Sequence, residues 1–232
     1  MLKALLTDVD GTITDSSRRI NTCAVDCIRS LVDDGIEVVL ASGNTPCFMD
    51  ALCKMVGTNG TFIAENGGVY RIGFTGPLRI TGDQAICRAA LEMVQDYYRE
   101  KGIELNLYSP TYRFADLAFA RTVPVEEVRK ILSGRPVQVI DTGYAIHLQS
   151  EGVSKGTALV ALAGDMGLFP QDFFAIGDGE NDIQMLEKAG RGVTIANAPP
   201  KTKAAASDVM EDGYGTGFVQ AVKKYRSYLR AR

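Results

Sequence analysis

Two carboxylates stand two residues apart in Asp8-Val9-Asp10-Gly11-Thr12, directly after an apolar run. Leu2, Ala4, Leu5 and Leu6 have the continuous apolar character of a strand covered on both faces. Acids just past such a strand are costly to ionise together, because burial and like charge both oppose it, and a bound divalent cation removes that cost. Gly11 permits a sharp turn, and Thr12 and Thr14 bring hydroxyls to the same place. Further polar groups also follow apolar runs: Ser42-Gly43-Asn44, and Gly177-Asp178-Gly179-Glu180-Asn181-Asp182. Four carboxylates without a neutral nitrogen ligand, Asp8, Asp10, Asp178 and Asp182, describe a hard-cation site suited to Mg²⁺. Ser42 and Lys155 add a hydroxyl and a cation, and Gly43 and Asn44 offer backbone amides at a helix N-terminus, which together make a pocket for phosphate. Beside a neutralised phosphoryl group, a carboxylate can act as a nucleophile.

Taken singly, these residues have plainer readings. Ser42 suits the N-cap of the following helix, and Asp178 and Asp182 suit a helix N-terminus, which acids favour. Lys155 alone reads as a solvated lysine near a helix start, although a cation is unfavourable there and points to a nearby anion. The chemistry rests on their joint order.

Positioning these groups requires strands that end at each of them. Residues 36–41 form a second buried strand, 61–64 a third leading into the turn Glu65-Asn66-Gly67-Gly68, and 69–72 a fourth. Asn21 or Thr22 caps a helix on which Ala24, Ile28, Leu31 and Val32 recur at helical spacing and which Gly35 ends. Thr45-Pro46 opens another, running to Gly57. From about Asp83 the pattern changes. A helix carrying Ile86, Ala90, Met93, Val94 and Tyr97 stops at Gly102, and strand-like runs follow at 103–108 and 116–120. A helix with Val125, Val128, Ile131 and Leu132 comes next, then strands at 137–140 and 144–148 around Asp141-Thr142-Gly143. That order predicts a small α+β sheet with helices on one face.

Alternation resumes at Ser154 with a helix through Leu159 and Leu162, a strand at 173–176, a helix with Met185 and Leu186, and a strand at 193–196. Phe218, Val222, Tyr225 and Leu229 mark a C-terminal helix, and Lys223, Lys224, Arg226, Arg230 and Arg232 read as its solvated face. The flanking βα segments can share one doubly wound parallel sheet, in which ligands bind at the carboxyl ends of the strands. The predicted fold is therefore α/β, a Rossmann-like core over residues 1–82 and 152–232 with an inserted α+β cap over 83–151.

Composition narrows the classes. A chain of 232 residues suffices for one large domain or a core with an insert. Its net charge of −3, without a basic block, gives no sign of nucleic-acid binding. No apolar run approaches a membrane span and the N-terminus lacks the regions of a signal peptide, so a cytoplasmic location is expected. Cys23, Cys27, Cys47, Cys53 and Cys87 form no C-x-x-C pair and read as buried packing in helices. With His147 the single histidine, a zinc site is not expected.

The ordered set D-x-D-G-T at 8–12, Ser42, Lys155 and G-D-x-x-N-D at 177–182 resembles the haloacid dehalogenase superfamily over the whole chain. The insert resembles the small cap of the Cof-like subgroup, and the short chain is similar to the phosphoglycolate phosphatases of archaea within it. The resemblance implies a Mg²⁺-dependent phosphatase of small phosphorylated metabolites, with 2-phosphoglycolate the leading substrate and a monomer or homodimer as the working unit. It implies that Asp8 attacks phosphorus to form an aspartyl phosphate, and that Asp10 protonates the leaving group and then deprotonates the hydrolytic water. Asp8, the Asp10 carbonyl, Asp178 and Asp182 would hold Mg²⁺. Ser42, Gly43 and Lys155 would hold the phosphoryl group, Thr12 would orient Asp10, and Asn181 would position the acids beside it.

The cap is expected to contact the rest of the substrate. Arg113 reads as a surface residue and His147 as a satisfied sheet histidine, although both lie where they can face a cleft. A sugar-phosphate phosphatase or phosphomutase shares the first chemical step and stands as the alternative. A receiver-type domain phosphorylated on Asp is a remoter one, opposed by the cap insert and by Asp10. A Ser-His-Asp esterase is excluded because Ser42 lies in Ala-Ser-Gly-Asn and not in G-x-S-x-G.

Overall fold

The computed structural model describes residues 1–231; Arg232, one of the basic residues assigned to the C-terminal face, lies outside the described residues. In chain order the first half contains β1 (Ala4–Asp8), α1 (Thr22–Asp33), β2 (Glu37–Ala41), α2 (Pro46–Val56), β3 (Phe62–Ala64), β4 (Val69–Arg71), β5 (Arg79–Ile80) and α3 (Gln84–Glu100). Next come β6 (Asp116–Ala120), α4 (Val125–Ile131), β7 (Val137–Asp141), β8 (Ala145–Ser150) and α5 (Lys155–Asp165). The remainder is β9 (Phe173–Ile176), α6 (Ile183–Lys188), β10 (Arg191–Thr194), α7 (Pro200–Ala205), β11 (Asp208–Val209) and α8 (Tyr214–Tyr225).

One sheet has the strand order β11-β10-β9-β1-β2-β3-β4-β5, parallel from β11 to β3, with β4 and β5 added as antiparallel hairpin strands. β1 lies inside it, so side chains on both faces are covered. Leu5, with Val38, Leu40 and Phe174, packs with Ala24, Ile28 and Leu31 of α1 and Phe218 of α8. Leu6, with Val39, Ile63 and Phe173, packs on the other face with Leu159 and Leu162 of α5 and Met185 of α6. This is the period-two alternation of a strand read twice, once for each helical layer. Asp8, the last residue of β1, sits in register with Ala41, the last of β2. The segments that follow these two strands, and those that follow β3, β9 and β10, therefore emerge along one edge.

A second, antiparallel sheet has the order β6-β8-β7. Its apolar residues Leu117, Phe119, Ile146 and Leu148 pack with Cys87, Leu91 and Val94 of α3 and Val128 of α4, so the helices cover one face, as expected. The fourth strand expected at 103–108 is absent as such. The segment meets β6 through a single bridge, Leu107 to Phe119, with hydrogen bonds from Tyr108 N to Ala118 O and from Ala120 N to Asn106 O. Ser109, at φ 50°, and Pro110 turn the chain away before a ladder can extend. The expected thiol burial holds for Cys53 and Cys87 but not for Cys23 and Cys47, which are exposed on their helices away from the core stripe.

Candidate active site

The edge built by β1, β2, β9 and β10 gathers the groups that lay far apart in sequence. Asp8 lies buried at the floor of a cleft of about 580 Å³, whose walls include Asp10, Ser42, Gly43, Asn44, Asp178, Asn181 and Asp182. The Lys155 ammonium, at the first turn of α5, is buried and donates to Asp8 Oδ1 at 2.5 Å and to Asp182 Oδ1 at 2.6 Å. The ammonium thus bridges two acids of the site. Asp182 Oδ2 accepts the backbone N–H groups of Asp178 and Gly179, so each of its oxygens is held.

One predicted partnership is replaced by another. Thr12 is fully buried and its hydroxyl donates to Asp178 Oδ1 at 2.7 Å, not to Asp10. The exchange follows from the turn at Gly11, whose φ of 90° and close approach to the Asp178 carboxylate leave no room for a Cβ. Asp10 Oδ2 instead accepts from Asn44 Nδ2 at 2.8 Å and from the Ser42 hydroxyl at 3.4 Å. The cap position of α2 falls on Thr45, so Ser42 is not the helix cap. Its hydroxyl accepts the Asn44 backbone N–H, which leaves the Gly43 amide as the one without a bond among the described residues. Asn181 lines the cleft but donates to Asn66 Oδ1 at 3.0 Å and to none of the acids.

Asp8, Asp178 and Asp182 each offer an oxygen within 4.8 Å of the others. Burial drives the Asp8 carboxyl well above the usual range against the pull of Lys155, and the charges of Asp182 and Asp178 add to the rise. Asp178 is pushed up to about 7, by burial first and then by Asp182, despite the Thr12 hydrogen bond. Burial opposes the charge on Lys155, yet the two carboxylates overcome it and hold the ammonium above its ordinary value. Ionising all three carboxylates against one lysine would leave two negative charges uncompensated, which adds to burial in raising Asp8 and Asp178, and the all-oxygen donor set fits a hard divalent cation.

Several residues of this site were not anticipated. Asn197, just past β10, donates to Asp178 Oδ2 at 2.9 Å and to Gly11 O at 3.0 Å. Its position past a strand end is the same signal that marked Ser42. Glu65, past β3, reads in sequence only as part of a turn. It is fully buried at φ 50°, and its carboxylate accepts the backbone N–H groups of Phe114, Ala115 and Asp116. Gln149 of β8 closes the link by donating to Glu65 O at 2.7 Å.

Arg113, expected at the surface, is buried and lines the cleft, because Asp116 and the Gly43 carbonyl take its Nη1. His147 does have a partner, Asp116, and also faces the cleft.

The profile of the family described as haloacid dehalogenase-like hydrolase matches residues 5–116 and 119–222. The chain is 65% identical, over the full length of both, to a phosphoglycolate phosphatase of Methanoculleus marisnigri, and 48% identical, again over both full lengths, to one of Methanospirillum hungatei. Among solved structures it is similar to Thermoplasma acidophilum 0175, with a TM-score of 0.85 and 30% identity over 97% of this chain and 99% of that one. It also resembles in fold a haloacid dehalogenase-like hydrolase from Bacteroides thetaiotaomicron, with a TM-score of 0.76 and 20% identity over 97% and 99% of the two chains.

Proposed function

The chain belongs to the haloacid dehalogenase-like hydrolase family, and from that membership we propose that it hydrolyses a small phosphomonoester through a phosphorylated Asp8, with 2-phosphoglycolate as the substrate and glycolate and phosphate as products. The observation that carries this is the setting of Asp8. Lys155 holds Oδ1, while Oδ2 has no partner among the described residues and belongs to a residue that lines the cleft.

Oδ2 attacks phosphorus in line, and the bond from phosphorus to the ester oxygen breaks. Asp10 gives its proton to the departing alkoxide. It then takes one from the water that attacks the phosphoryl-Asp8, and phosphate leaves with Asp8 restored. Asn44 and Ser42 fix Asp10 through Oδ2, so Oδ1 is the oxygen free to carry the proton. The Gly43 amide and, once turned from Asp10, the Ser42 hydroxyl would hold phosphoryl oxygens, while Lys155 keeps Asp8 and Asp182 fixed and partly neutralised. Asp8, the Asp10 backbone carbonyl, Asp178 and Asp182 would hold Mg²⁺, which when bound supplies Lewis-acid stabilisation of phosphoryl charge. The name carried by the full-length relatives supports the choice of ester. The test is release of inorganic phosphate from 2-phosphoglycolate, sugar phosphates and an aryl phosphate, with Mg²⁺ and with EDTA. Asp8→Asn is expected to fold and to lose kcat by several orders of magnitude, about 10³-fold or more; near-wild-type rates in that variant remove Asp8 from the mechanism.

A further inference from the structure

We infer that His147 and Arg113, both held by the buried Asp116, form a subsite for a carboxylate on the leaving-group side of the substrate. The inference deepens the phosphatase reading and rests on it. Along β8 the alternation that turns Ile146 and Leu148 toward α3 turns His147 and Gln149 to the opposite face. On β6 the same alternation places Asp116 on that face, one diagonal step from His147, since Ala118 is the residue paired with His147. Asp116 is fully buried. It accepts from Arg113 Nη1 through Oδ1 at 2.5 Å and meets His147 Nδ1 through Oδ2 at 2.8 Å, so its two oxygens orient a guanidinium and an imidazole that both line the cleft.

His147 is only 4% exposed and its Nε2 has no partner among the described residues. Its ring edge lies against the phosphate-binding turn: a Cβ built on Gly43 would stand 3.1 Å from His147 Cε1. Arg113 Nη1 also reaches the Gly43 carbonyl at 3.2 Å, and Nε is taken by Tyr108 O. The subsite thus borders the turn that carries Ser42, in the same cleft as Asp8. Asp8, Asp10, Asp178 and Asp182 line the same cleft and disfavour a second anion beside the phosphoryl group, so a second negative group on the substrate is directed to the cap side. Burial opposes ionisation of Asp116, but the hydrogen bond from His147 and the charge of Arg113 outweigh it and hold that carboxyl below its usual range, so the clamp keeps its counter-charge. Arg18, the other arginine on the cleft wall, is exposed at the rim, where it lies over the Tyr144 ring at 4.8 Å and solvent screens its charge.

Three esters of equal length test this: 2-phosphoglycolate, 2-hydroxyethyl phosphate and ethyl phosphate, which end in a carboxylate, a hydroxyl and a methyl group. In the wild type the carboxylate ester is preferred over ethyl phosphate. In His147→Ala and in Arg113→Lys the ratio of their kcat/KM values falls by about tenfold or more, mainly through KM for 2-phosphoglycolate. Arg18→Ala leaves the ratio standing. An unchanged ratio in both cap variants, an equal loss for all three esters, or a loss confined to the hydroxyl ester overturns the inference. Calorimetric binding of 2-phosphoglycolate and ethyl phosphate to Asp8→Asn protein, with Mg²⁺ present, separates the two layers. Preferential binding of the carboxylate ester that His147→Ala abolishes upholds the subsite even where no ester is hydrolysed, and absence of that preference overturns it.

Discussion

Burial and the neighbouring charge of Asp182 together push the Asp178 carboxyl up to about 7, so below that pH the free protein holds a proton on a group that the proposed Mg²⁺ site would need ionised. Cation binding must displace that proton. The half-saturating Mg²⁺ concentration is therefore expected to rise as pH falls through 7, by about tenfold between pH 8 and pH 6. Magnesium titrations of activity at those two values check it, and a constant requirement would remove Asp178 from the ligand set. The other exchange at this scale concerns Thr12 and Asn44. Both are small polar residues past a strand end, and only the turn at Gly11 determines that the threonine hydroxyl reaches Asp178 while the asparagine amide reaches Asp10.

Among the elements, the segment between β3 and β4 ties the two sheets together. Glu65 is pushed up to about 7, chiefly by burial and then by the charge of Asp116, against three backbone hydrogen bonds that favour its ionised form. Its pKa is raised above that of the unfolded chain, so the folded state binds the extra proton between pH 4.5 and about 7. The sign follows: this residue's contribution to stability is greatest at the acid end and declines as pH rises through that window. The decline is about 3 kcal/mol. Glu65→Gln removes the titration while keeping the shape, although its amide then faces the Phe114 N–H. Urea midpoints at pH 5 and pH 7.5 should thus converge in the variant relative to the wild type. A wild-type pH slope in Glu65→Gln would show that the proton is held elsewhere.

At the scale of the whole molecule, the cleft lies where the strand ends of the parallel sheet face the polar side of the three-stranded sheet. Arg18, in the loop after β1, stacks on Tyr144 of the turn between β7 and β8 and narrows the mouth. Arg113 reaches across to Gly43 and Glu65 to residues 114–116. A space of about 580 Å³ bounded this way suits a small metabolite. A phosphoserine peptide is accordingly expected to be hydrolysed with a kcat/KM at least about 10²-fold below that of 2-phosphoglycolate. Malachite-green assays of phosphate release under matched conditions measure that ratio, and comparable rates would show the mouth to be open to polypeptides.

The sequence alone determined the alternation of strands and helices, the insertion of a second sheet after β5, and the four polar groups carried past strand ends, because each depends on local periodicity or on a few adjacent residues. It placed Asp8, Asp10, Ser42, Asp178 and Asp182 at strand ends without their partners. Which oxygen Lys155 holds, which acid Thr12 serves, and why Arg113 and Glu65 are buried were decided only by the tertiary structure. Apart from the local pair Arg113–Asp116, each of those answers is a contact between residues dozens or more positions apart, made by sheet register and the docking of one sheet over another. A buried carboxylate such as Glu65 looks in sequence like any polar turn residue until the three N–H groups that satisfy it are brought to it across the fold.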